Sequence, residues 1–144
     1  MLHTTRLRVR LSETDQNGVV YYSQYFVYFD VAKSNLLRHE KLDPISFGER
    51  DLRLLAAETH CTFYSPAKFD DDLQVLVWVR KMGNSSIVFD FEVRRDKTTL
   101  ADGYIVNVLV NATGKPVNLP SKVRLKLSRH LKKEKMKRPF QPLW

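Results

Sequence analysis

The chain has 144 residues, 43% of them hydrophobic, enough for one domain with a real core. Its formal charge is +8, but six basic residues against one acid from Arg129 to Trp144 place +5 in that stretch and leave +3 for the body, which has no basic stripe; with no groove-reading motif in the tail, nucleic acid is disfavoured as a partner. No uncharged apolar run reaches bilayer-spanning length, the N-terminus lacks a signal-peptide h-region, and the single Cys61 supports neither an internal disulfide nor a zinc cluster, so a soluble, unexported, cytoplasmic protein is expected.

From Thr4 to Leu11, Leu7, Val9 and Leu11 alternate with Arg6, Arg8 and Arg10, the period of a half-buried strand. Ser12 to Gly18 is a cluster of turn formers that ends it. Tyr22 to Glu40 then runs for nineteen residues without Gly or Pro, with Tyr22, Tyr25, Phe26, Phe29, Ala32, Leu36 and Leu37 at helical spacing. Val27, Tyr28 and Val31 fill the opposite side of its first half, so other structure must wrap it. Strand-like runs follow at about Leu52–Ser65, Leu73–Met82, Ser86–Arg95, Leu100–Asn111 and Ser121–Leu127, separated by turns at Met82-Gly83-Asn84, Arg95 to Thr98 and Thr113 to Pro116.

The order β-α-β-β-β-β-β predicts an α+β fold: a long central helix wrapped by a curved, mainly antiparallel sheet of five or six strands. Leu76, Trp78, Val88, Ile105 and Leu109 are expected on the sheet face away from the helix, more apolar surface than a monomer leaves exposed, so a homo-oligomer is predicted. Residues 1–128 are expected to form the domain and 129–144 a basic tail, a solvated end or terminal helix whose last residues, Pro139 to Trp144, are either a disordered end or a docked strap.

The most informative polar residue is Asp15, in a turn with Gly18 shortly before the helix. The first N–H groups of a helix lack internal partners and carry the positive end of its dipole, so they bind anions or polarise a carbonyl, and an acid beside them can attack or deliver water. Spacing alone also allows Asp15 or Thr14 to be a cap. Other side chains have ordinary structural readings: Glu58 and His60 on one strand face, Asp30 on the helix surface, Cys61 as a small hydrophobe, and His39 at the negative end of the helix dipole. Three successive carboxylates, Asp70 to Asp72, diverge and make a loop rather than a metal site.

The word Glu13 to Tyr25, ETDQNGVVYYSQY, closely resembles the signature of the 4-hydroxybenzoyl-CoA thioesterase family of hot-dog proteins. The helix Phe26 to Arg38, the word Tyr64 to Asp71 (YSPAKFDD) and the strand order extend the resemblance over about residues 4 to 128. It implies that Asp15 is the catalytic aspartate, either a nucleophile forming an acyl-enzyme anhydride or a base for water. Tyr22 falls where the family presents a helix-terminal N–H to the thioester carbonyl, and Gly18 and Val19 shape the turn beside it. The resemblance also implies sites built between two subunits, commonly in tetramers, and no metal or other cofactor. The Tol-Pal-associated branch usually has His where Tyr22 stands, while the 4-hydroxybenzoyl-CoA branch has Tyr there and Pro in place of Ser23. In the latter branch basic residues near the turn corresponding to Gly83-Asn84-Ser85 contact the CoA nucleotide. Those three are neutral here, leaving Arg80, Lys81, Asn84 and Ser85 as the candidate contacts. The expected function is hydrolysis of an acyl-CoA thioester to acid and CoA, with an acyl carrier protein as the alternative donor and a non-catalytic acyl-ligand, nucleic-acid or membrane binder as the alternative class.

Overall fold

A computed structural model describes residues 2–44 and 51–132. In chain order they form β1 (His3–Arg8), a 3-10 turn (Leu11–Glu13), α1 (Gln24–His39), β2 (Arg53–Phe63), β3 (Asp72–Met82), β4 (Ser86–Arg95), β5 (Thr98–Val110) and α2 (Ser121–Ser128). The five strands make one sheet in the order β1-β3-β4-β5-β2, every neighbouring pair antiparallel. This is the expected α+β layout with five strands.

Period-two patterning puts Val75, Val77, Val79, Phe89, Phe91, Val93 and Ala101 on one face, all buried, and α1 lies against it. Phe29 stacks on Phe91 with ring centroids 4.5 Å apart. Gly103 stands opposite Phe91 in β5, and a Cβ there would lie 2.0 Å from the His60 carbonyl oxygen and 2.9 Å from Phe29 Cε2. The missing side chain is what lets the Phe29 ring approach the sheet this closely.

Four expectations need correction. The alternation of β1 stops at Arg8; Leu11 opens the 3-10 turn and is 69% exposed. The run Ser121–Leu127 is helical: a strand would place Val123, Leu125 and Leu127 on one face, whereas α2 buries Val123 and Leu127, four residues apart, and leaves Leu125 exposed. Ile105 is paired opposite Phe89 and belongs with Leu109 to the core under α1, while Leu76, Trp78 and Val88 are already buried within the single chain, Trp78 beneath the Lys132 ammonium. The outer sheet face is therefore no argument for an oligomer. Finally, the sheet does not enclose α1 completely: Val27 is 49% and Val31 39% exposed, along a stripe that includes Asp30.

Beyond α2 the chain stays on the body as far as it is described. Val79 N–H donates to the His130 carbonyl and Lys132 N–H to that of Val79, continuing the row that β1 begins along β3. Arg129 and His130 bond the buried Glu40 at 3.0 and 2.8 Å. The rest of the basic tail, 133–144, lies outside the described residues. Among the described residues no helix is long and apolar enough to cross a membrane.

Candidate active site

Asp15 opens a tight hairpin. Thr14 bridges Val20, Asp15 N–H donates to the Val19 carbonyl at 2.9 Å, and Gly18 N–H returns to the Asp15 carbonyl at 3.0 Å. Gly18 has φ of +77°, a left-handed conformation that a side chain would disfavour. The hairpin is docked on the segment before β3 by the Val19–Lys68 bridge and by Val20 N–H to the Ala67 carbonyl. Asp15 is half-buried; Oδ1 accepts the Asn17 N–H at 2.8 Å, and Oδ2 has no hydrogen-bond partner among the described residues. One carboxylate oxygen thus fixes the turn and leaves the other available for chemistry.

The chain then turns into α1 two residues later than the periodicity predicts. Tyr21 N–H is taken by the Glu13 carbonyl, and Gln24, Tyr25 and Phe26 N–H groups close short i→i−3 bonds to Tyr21, Tyr22 and Ser23. Among the described residues, the N–H groups of Tyr22 and Ser23 have no partner. They sit at the positive end of the helix dipole, where a developing oxyanion is stabilised. The Tyr22 side chain itself is 61% exposed, with its ring 4.5 Å from that of Tyr21.

A carboxylate with a free oxygen and unpaired helix-terminal donors in one loop is the equipment of an acyl-transfer site. The pattern of the thioesterase-like superfamily matches residues 9–127, spanning the hairpin, α1 and all of the sheet beyond β1. The chain belongs to this superfamily. It is similar to the acyl-CoA thioester hydrolase YbgC of Escherichia coli, 27% identical over 81% of this chain and 89% of that one. It is 28% identical to the acyl-CoA thioesterase YbgC of Haemophilus influenzae, over 82% and 88%. Its fold superimposes on a 1,4-dihydroxy-2-naphthoyl-CoA thioesterase from Synechocystis with a TM-score of 0.80 at 25% identity, covering 89% of this chain and 96% of the other. As a thioesterase-like protein of the hot-dog fold, it is a thioester hydrolase.

The remaining candidates of this thioesterase-like chain lie elsewhere. The Gly83-Asn84-Ser85 turn closes the far end of β3, whereas the Asp15 hairpin docks just before its start. β3 is eleven residues long, roughly 33 Å at the usual rise, and Arg80, Lys81, Asn84 and Ser85 stand at or beyond its far end, so one chain does not bring Asp15 together with them. Arg80 is engaged by the buried Asp90 through Nε at 2.8 and 3.1 Å and through a terminal nitrogen, and lies 4.9 Å from the Tyr104 ring centre. Lys81 and Asn84 are exposed, and the Ser85 carbonyl accepts the Leu109 N–H. An open groove of about 480 Å³ runs between Arg80, Lys81, Met82, Arg124 and Leu131, adding a cation from α2, Arg124, that the strand reading of that segment hid.

The structural readings of the other side chains hold. Asp70, Asp71 and Asp72 face three different arginines, Arg8, Arg95 and Arg6. Asp30 pairs with Lys33 on the helix surface. Burial, with the nearby Asp102 charge, pushes the Cys61 thiol up to about 12, far from a nucleophilic thiolate. His60 stacks on Tyr104 at 5.4 Å and contacts Thr62. Among the described residues no group of three or more His, Cys, Asp or Glu could hold a metal ion. Sequence reasoning missed Glu13, buried beneath the hairpin and bonded to α1, because only its partners distinguish it from any other loop carboxylate.

Proposed function

We propose that the chain hydrolyses an acyl-CoA thioester to a carboxylic acid and CoA, with Asp15 as nucleophile or general base and the Tyr22 N–H as the donor to the thioester carbonyl. As a base, Asp15 takes a proton from a water that adds to the acyl carbon and expels the thiolate. As a nucleophile, its carboxylate adds first, the C–S bond breaks, and water then cleaves the resulting anhydride to release the acid and restore Asp15. In either case the thiolate leaves as the CoA thiol once protonated. The observation that carries this reading is the free Asp15 carboxylate oxygen in the same loop as the unpaired N–H groups of Tyr22 and Ser23. The named activity of the YbgC relatives supports the CoA ester as substrate.

The length of β3 between the Asp15 hairpin and the Gly83-Asn84-Ser85 turn has a direct consequence. For Lys81, Asn84 and Ser85 to hold the nucleotide of a CoA whose acyl group lies at Asp15, they must come from a second subunit. In this reading the second copy lies along β2, an eleven-residue edge strand exposed over most of its length that contacts α1, the helix whose Val27 and Val31 are left open. A cytoplasmic location accords with the lone thiol and with CoA as substrate.

The test is release of free thiol from short, long and aromatic acyl-CoAs and from an acyl carrier protein thioester, comparing native chain with Asp15→Asn. Turnover of a CoA ester that falls by about 10²- to 10⁴-fold in Asp15→Asn, with oligomer intact, is the expected result. Undiminished turnover in that variant would remove Asp15 from the mechanism, and turnover of the carrier thioester alone would change the donor.

A further inference from the structure

We propose that Glu13 is a positioning residue for the hydrolysis, setting the distance between the Asp15 carboxylate and the Tyr22 N–H; the proposal rests on the roles given to those two groups above. Glu13 is 7% exposed, and both of its carboxylate oxygens accept hydrogen bonds. Oε1 accepts the Arg10 backbone N–H at 2.9 Å and the Tyr28 hydroxyl at 2.9 Å. Oε2 accepts from Arg10 Nε at 3.1 Å and from Gln24 Nε2 at 3.3 Å, with the Arg10 terminal nitrogen also at 3.1 Å. The Glu13 carbonyl oxygen accepts the Tyr21 N–H at 2.9 Å.

A capping role for the short 3-10 turn accounts only for the Arg10 bonds. Those from Gln24 and Tyr28 come from the first two turns of α1, so one carboxylate fastens the exit of β1 to the start of the helix. Asp15 lies two residues beyond this knot, and Tyr22 is next to Tyr21, whose N–H the same residue holds. Capturing the Tyr21 N–H leaves that of Tyr22 as the first unpaired one. The segment that leads to Asp15 and the helix start that carries Tyr22 are therefore tied to each other through the Glu13 side chain and its backbone carbonyl, although Glu13 touches neither reacting group. Such control acts on the geometry of the transition state more than on substrate affinity, because preorganised donors act on charge that develops only during reaction.

The experiment measures kcat and KM on the best acyl-CoA for native chain, Glu13→Gln, Gln24→Ala, Tyr28→Phe and Asp15→Asn, with a melting curve for each. Glu13→Gln keeps the shape but loses the charge and one acceptor; it is expected to lower kcat by about tenfold to a hundredfold with KM nearly unchanged. Gln24→Ala removes one bond from a partly exposed side chain and is expected to lower kcat less, again at constant KM. Native kcat per folded site in Glu13→Gln, while Asp15→Asn is inactive, overturns the proposal and spares the reading of the site. If Glu13→Gln does not fold, Gln24→Ala and Tyr28→Phe decide: unchanged kcat in both overturns it, and lowered kcat at constant KM supports it. An active Asp15→Asn overturns the site reading itself, and the role of Glu13 with it.

Discussion

Glu40, 8% exposed at the C-terminal end of α1, shows how strongly a buried carboxylate depends on partners far along the chain. Burial alone would raise its pKa; the His130 hydrogen bond, with His130, Arg129 and His39 charge nearby, prevails and holds it below the ordinary 4.5. A depressed folded value means that the unfolded chain binds the proton more tightly. The contribution to stability is thus present above about pH 4.5 and is lost as pH falls through the lower folded value. Glu40→Gln is expected to cost about 2 kcal/mol near neutral pH, read by urea unfolding, with the gap to native chain narrowing as pH drops below about 4. A gap that stays constant as pH falls well below that value would contradict the ion-pair account. Asp15 was legible in the sequence because a short local word surrounds it. Glu13 and Glu40 were not: the Tyr28 and His130 partners that mark them stand 15 and 90 residues away.

Strands whose faces differ sharply were legible as elements. Met82-Gly83-Asn84 and Arg95 to Thr98 bounded β4 correctly, because a glycine turn and a short charged turn interrupt the alternation at both ends. The last segment failed for a physical reason: apolar residues at 123, 125 and 127 satisfy period two, and only packing shows that the middle one faces solvent. The parity of β5 was also misjudged, since its register against β4 decides which face Ile105 joins. Gly103 is the element-level counterpart, a residue whose meaning lies across the sheet. Gly103→Ala places a methyl against the His60 carbonyl and the Phe29 ring, where backbone must move. A loss of about 3 kcal/mol is expected, seen as a melting temperature lower by several degrees; an unchanged melting temperature would mean that β2 and β5 separate freely at this point.

At the scale of the whole molecule, the chain carries the Asp15 hairpin near one end of β3 and a basic groove at the other, and it leaves an edge strand, β2, and an apolar stripe of α1 exposed. An oligomer was expected in part from the outer sheet face, which proves to be covered; the apolar surface left open is instead the Val27 and Val31 stripe of α1, because the sheet does not enclose the helix completely, and β2 is largely exposed. Val27→Arg changes a half-exposed position, so the chain is expected to fold while its solution mass drops to that of a monomer and thioesterase turnover falls with it. Sedimentation at several concentrations would show this, and an intact oligomer with full turnover would place the contact elsewhere. The same strand has a consequence for the order of events during synthesis. β2 leaves the ribosome well before β5, its only sheet neighbour among the described residues, so for that interval the pairing seen in the fold is missing. The irregularity between Ala56 and Glu58 belongs to the pairing with β5, so the local bend that blunts this edge against other copies is acquired only when β5 has joined it, and until then the emerging strand relies on its charged and polar side chains alone.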